Sequence, residues 1–103
     1  MEAVTTRVVL NEGAESEWEA TMRDRMTAAE SCDGWIGGSI LTPEGDGNAR
    51  VILGLWQTRS DWERWHDDPA FHETAERLKG LERDAGTATW HEVVYAGGRF
   101  TGP

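Results

Sequence analysis

The chain has 103 residues, with 10 basic against 19 acidic side chains and a net charge of −9. That length suits a single domain, with a core expected over residues 4–96 and a tail over 97–103. The acidic residues are spread over both halves and no basic stripe offsets them, which argues against nucleic acid and anionic membranes as partners.

Residues 4–10 (VTTRVVL) are β-branched and read as a strand, ended by the turn-prone Asn11-Glu12-Gly13. A helix is expected over 14–31. Trp18, Met22, Met26 and Ala29 recur on it at spacings of four, four and three, which makes one helical stripe. Glu15, Glu17 and Glu19 suit the positive end of its dipole, and Asp33-Gly34 stops it. Residues 35–42 (WIGGSILT) read as a second strand whose Gly37-Gly38 pair suggests a bulge or a close backbone approach. After a hairpin loop over 43–48, residues 50–57 (RVILGLWQ) form a third strand. Val51, Leu53 and Leu55 point one way, and Ile52, Gly54 and Trp56 the other, so both faces should be covered.

Ser60-Asp61-Trp62-Glu63 has the form of a capping box and opens a short helix carrying Trp62 and Trp65. Asp68-Pro69 then starts a new helix, with Asp as N-cap and Pro at the first helical position. It is expected to run to about residue 83 with Phe71, Ala75 and Leu78 as its stripe. Residues 87–95 (TATWHEVVY) form the last strand, and a Gly-rich tail follows with Phe100 as its one core-type residue. The order β-α-β-β-α-α-β is that of a ferredoxin-like split βαβ, an α+β fold with a four-stranded antiparallel sheet. Helices on one face leave the other bare and apolar. A second copy packed face to face covers it economically, so a homodimer is expected.

Cys32 is the single cysteine, so no internal disulfide can form. With no signal-peptide pattern and no long apolar run, the expected location is the cytoplasm. Three scattered histidines offer no metal-ligand spacing, and no phosphate-binding glycine motif or nucleophile elbow is present. Cys32 at a helix C-terminus would have its thiolate disfavoured. Six tryptophans exceed what so small a core needs, which points to a cavity between helices and sheet for a flat apolar ligand. Met22 and Met26 serve either as core or as an adaptable wall of that cavity. His66 and His72 are candidate bases, His66 expected on the solvated side beside Asp67-Asp68; His91 reads as a rim or interface residue.

Gly34-Trp35-Ile36-Gly37 follows the amphipathic helix. After the hairpin come Leu55-Trp56-Gln57-Thr58-Arg59-Ser60-Asp61-Trp62-Glu63-Arg64-Trp65 and Pro69-Ala70-Phe71-His72. This pattern resembles the antibiotic biosynthesis monooxygenase family of dimeric α/β barrels, most specifically between Trp56 and Phe71. The resemblance implies a homodimer acting on a small aromatic substrate. One branch of the family oxygenates polycyclic phenols or anthrones with O₂ and no cofactor. Another degrades haem with an Asn, a Trp and a His, where this chain has Thr6, Trp65 and Ala75; alanine cannot ligate iron, and haem degradation is disfavoured. The cofactor-free branch matches at Trp65 but tends to carry an Asn where this chain has Asp61, a side chain that accepts hydrogen bonds and can act as a base.

The resemblance therefore implies a cofactor-free tailoring monooxygenase of aromatic natural products. Trp65, Asp61 and His72 are its candidate catalytic residues. Thr6, Trp18, Met22, Met26, Trp56, Trp62, Phe71 and Ala75 are the candidate substrate contacts. The rival reading is a dimeric barrel that binds or shapes a small ligand without redox chemistry.

Overall fold

A computed structural model describes residues 1–99; Phe100, the core-type residue of the tail, lies outside them. Strand β1 (Glu2–Leu10) leads into helix α1 (Glu15–Ala29), then β2 (Trp35–Leu41) and β3 (Ala49–Trp56) form a hairpin. Helices α2 (Arg59–Trp65) and α3 (Pro69–Leu78) follow, and strands β4 (Glu82–Asp84) and β5 (Ala88–Glu92) close the order. The sheet is antiparallel and runs β2-β3-β1-β4, with β5 also paired to β1. This is the expected α+β ferredoxin-like fold, with a five-stranded open sheet where four strands were expected.

The extra strand is a correction with a clear cause. The second long helix ends at Leu78, not near residue 83, because Lys79 turns extended (ψ 131°) and Gly80 adopts φ +82°. Leu81 then packs back onto the core, and Glu82–Asp84 pairs with Val9 and Leu10. Ala88–Glu92 continues along the same edge of β1 from Thr6 to Glu2. The fourth position of the sheet is thus filled by two short segments. Gly86 joins them at φ +70°, so close to β1 that a Cβ there would collide with the Arg7 carbonyl.

Helix α2 is capped by Thr58 in place of the expected Ser60. Thr58 is extended (φ −139°, ψ 158°), accepts from the Asp61 amide at 3.1 Å, and donates to Asp61 Oδ2 at 2.9 Å. The capping spacing is the expected one, shifted two residues upstream with Asp in the acidic position. Asp68 caps α3 as expected, accepting from Ala70 N at 2.8 Å ahead of Pro69.

One sheet face carries Val4, Val8, Leu10 and Trp56 against the helices. The core there has two clusters, one around Trp18, Met22 and Leu78 and one around Ala29, Trp56 and Trp65. On the other face Val51, Leu53 and Leu55 are only half-buried, paired across the sheet with Leu41, Ser39 and Gly37. No helix among the described residues is long and apolar enough to cross a membrane.

Candidate functional site

Between the two core clusters lies a cavity of about 490 Å³. Its floor is the sheet: Val4, Thr6 and Val8 of β1 with Ile52, Gly54 and Trp56 of β3. Helix α1 supplies Met22, Arg25, Met26 and Ala29, and Trp35 closes the β2 side. Trp62, Trp65 and His66 stand opposite, with Phe71, Ala75 and Leu78 of α3 beside them. The stripe read on α1 therefore does two jobs: Trp18 is core alone, whereas Met22, Met26 and Ala29 also face the cavity.

Glycine makes room at the β2 end. The expected bulge is there, as a register shift between Trp35 and Gly37. The expected close approach is there too, because a Cβ on Gly38 would press on the Trp35 ring, the Leu53 carbonyl and the Met26 methyl.

Four of the six indoles border the cavity: Trp35, Trp56, Trp62 and Trp65. Trp35 meets Trp56 edge to face at 5.1 Å, and Trp65 meets Phe71 at 5.7 Å. Trp90 stands behind Trp62 at 4.9 Å, and Arg59 covers its outer face. Trp18 does not reach the cavity; it is fully buried, with Nε1 donating to Glu82 Oε2 at 2.8 Å.

The candidate catalytic residues fall in three different places. Trp65 is buried and borders the cavity. Asp61 does not border it. Its carboxylate is held by Thr58 and by an ion pair with Arg64, packs against Gly34, and faces a separate polar hollow with Cys32, Asp33 and Asp68. Trp65 borders both spaces, so the short helix puts its indole and its carboxylate on different sides. His72 is exposed on the outside of α3 and does not border the cavity either.

His66 corrects the expectation of a solvated position. It lies at the end of α2 and borders the cavity, its ring 3.9 Å from that of Trp62 and 4.2 Å from that of Phe71. The polarity of Asp67-Asp68 misled; the spacing from Trp62 to His66, one helical turn, is the signal that places both on one side. Nδ1 is 2.8 Å from the Trp62 carbonyl oxygen. A carbonyl only accepts, so Nδ1 carries the proton and Nε2 keeps its lone pair. Burial pushes the His66 pKa down, and the Arg25 charge adds to this, so the neutral ring is favoured.

The sequence reading also passed over Arg25. It sits three residues after Met22 and four before Ala29, inside the apolar stripe, which is the signal that could have found it. Its guanidinium carbon stands 4.1 Å from the Phe71 centroid, and Nε donates to Thr74 Oγ1 at 2.8 Å. Burial lowers its pKa while the Glu82 charge raises it.

Ala75 borders the cavity between Phe71 and Leu78 and offers no ligand there. No group of three or more His, Cys, Asp or Glu among the described residues could hold a metal ion. The Cys32 thiol is pushed up by burial first, then by the Asp68 and Asp33 charges, in the direction expected from the helix end but for different reasons.

The sequence profile of the antibiotic biosynthesis monooxygenase family matches residues 1–77. No curated protein sequence matches the chain significantly. Among solved structures, a candidate antibiotic biosynthesis monooxygenase from Nitrosomonas europaea superposes with a TM-score of 0.83 at 12% identity, over 92% of this chain and 100% of that one. Rv0793 from Mycobacterium tuberculosis gives 0.80 at 16% identity, over 94% and 98%. SnoaB, a cofactor-independent oxygenase from Streptomyces nogalater, gives 0.79 at 19% identity, over 99% and 96%. Likeness at these identities concerns the fold.

Proposed function

The chain belongs to the antibiotic biosynthesis monooxygenase family, and from that premise we propose that it is a cofactor-independent monooxygenase. In this reading it oxidises a flat polycyclic phenol or anthrone in natural-product biosynthesis, in the cytoplasm and as a homodimer. The observation that carries the reading is the cavity itself. It is walled by indoles and aliphatic side chains, and it holds one imidazole whose tautomer leaves a free lone pair.

Chemically, His66 Nε2 takes the acidic proton of the bound substrate. Because burial favours the neutral ring, the base is available near neutral pH. The resulting anion is electron-rich and passes one electron to O₂. The carbon radical and superoxide recombine to a peroxide, which is protonated. Loss of water breaks the O–O bond and leaves a carbonyl. For an anthrone, one oxygen atom replaces the methylene hydrogens and the other departs with them as water, so no external reductant is needed. Trp65 orients the ring system by stacking, and its N–H can donate to a substrate oxygen. Asp61 acts at one remove, by holding the first turn of α2 that carries Trp65. The alanine at position 75 of the cavity wall, which cannot ligate iron, favours this chemistry over haem degradation.

Oxygen uptake with anthrone tests it. The expected result is uptake above the protein-free control with anthraquinone as product, reduced at least about tenfold in His66→Gln and in Trp65→Phe. Uptake equal to the control removes the oxygenase reading. If anthrone nonetheless quenches tryptophan fluorescence, the chain is a ligand-binding barrel without redox chemistry.

A further inference from the structure

The cavity is mostly apolar, yet a cation, Arg25, stands in its wall without an ion-pair partner among the described residues. Two of its N–H groups are engaged, one with Thr74 Oγ1 at 2.8 Å and one with the Phe71 carbonyl at 3.4 Å. Thr74 is itself buried and donates back to the carbonyls of Ala70 and Phe71, so the guanidinium is held in one orientation. The rest of the fork has no partner among the described residues. Glu82 borders the same cavity and its charge favours the protonated Arg25, but the two form no direct bond; Glu82 Oε2 accepts from the Trp18 indole instead. Lys79 also borders the cavity, but it is tied to Glu76 at the surface. Arg25 and His66 lie against the same ring: the guanidinium carbon is 4.1 Å from the Phe71 centroid, and the imidazole is 4.2 Å from it.

A half-buried, oriented arginine with free donors is built to take an anionic oxygen. A chain of net charge −9 would otherwise repel an anion, so preference for one must come from a local group. We propose that Arg25 is the anion-recognising residue of this cavity, selecting planar aromatic ligands that carry a phenolate or carboxylate oxygen at the Phe71 end. This inference rests on the cavity binding a flat aromatic molecule, and it names the chemical class that the cavity prefers. In the proposed reaction, the proton leaving the substrate goes to His66, and the charge left behind on oxygen faces Arg25. The two positive groups then flank one negative one.

Calorimetric titration with 2-naphthoate and its neutral isostere 2-naphthamide tests the assignment. The protein is expected to bind the carboxylate about tenfold more tightly than the amide. Arg25→Met should erase that preference while leaving amide affinity within about twofold; Arg25→Lys should keep part of it, and Lys79→Met all of it. Equal affinities in the unmodified protein, or a preference that survives Arg25→Met, overturn the assignment while the aromatic cavity stands. Failure of both probes to bind overturns the cavity reading and this inference with it. The comparison within the unmodified protein decides even if Arg25→Met does not fold.

Discussion

Trp18 Nε1 donates to Glu82 Oε2 across 2.8 Å, linking the first helix to β4, a strand absent from the sequence reading. Trp18 is fully buried, so without Glu82 its N–H has no water to turn to. Glu82→Ala should therefore cost about 1–3 kcal/mol in denaturant unfolding, the cost of an unsatisfied buried donor. Glu82→Gln keeps an acceptor and should lose clearly less. Equal losses for both would mean that charge, not the acceptor, matters at this position.

Strand β4 escaped notice for a physical reason. Glu82-Arg83-Asp84 has no apolar alternation, and only the cross-chain bond from Trp18 shows that Glu82 faces inward. Strands β1, β2 and β3 were legible because β-branched runs and glycine turns bound them, and α3 because Asp68-Pro69 marks its start. The apolar cavity wall was legible at Met22, Met26, Trp56, Trp62, Trp65 and Phe71, whereas Trp35, Ile52 and Leu78 read only as strand and helix residues. Of its polar members only Thr6 was a candidate contact, through the family resemblance. Arg25 and His66 look like surface residues by type, and only their spacing from Met22 and Trp62 betrays the face they share.

Gly86 and Gly13 separate two costs of a side chain at positive φ. Both adopt it, at +70° and +83°, but a Cβ on Gly13 meets nothing while one on Gly86 meets the Arg7 carbonyl. Gly13→Ala should lower stability by about 1 kcal/mol, the cost of the left-handed conformation alone. Gly86→Ala should lose distinctly more, since the β4–β5 connection must move off β1. Thermal melts of the two variants compare them directly, and similar shifts would show that this connection yields freely.

His66 should make folding and catalysis sensitive to mild acid. Burial is the largest influence on its pKa and depresses it. The Trp62 carbonyl opposes this, Arg25 reinforces it, Asp67 opposes it, and His72 reinforces it. The folded chain thus binds the His66 proton less readily than the unfolded chain does. Its stability contribution is complete above the ordinary histidine value of about 6.5 and is lost as pH falls through the lower folded value. His66→Gln should flatten the decline in melting temperature between pH 7 and pH 5 relative to the unmodified protein. The acid limb of kcat/KM with anthrone should correspondingly fall below about pH 6.5. A limb above that value would remove His66 as the base.

The open sheet face argues for the homodimer independently of family. Leu41 is paired with Val51 across the β2–β3 hairpin and is 48% exposed. Leu53 and Leu55 continue the apolar surface toward Thr5 and Ala3 of β1, and the helices all lie on the opposite side. Each 100 Å² of such surface left in water forgoes about 2.5 kcal/mol at roughly 25 cal/mol per Å². A net domain stability of about 5–15 kcal/mol makes that a substantial loss. A two-fold copy presents the same apolar face and covers both at once. Sedimentation at low micromolar concentration should show a species near twice 11.5 kDa, with an unfolding midpoint that rises with protein concentration. Leu53→Lys places a charge at the centre of the face and should give a monomer, its helical circular dichroism retained if the variant folds. A unmodified chain that sediments as a monomer with a concentration-independent midpoint would show that this face tolerates water, and the paired-sheet assembly would fall.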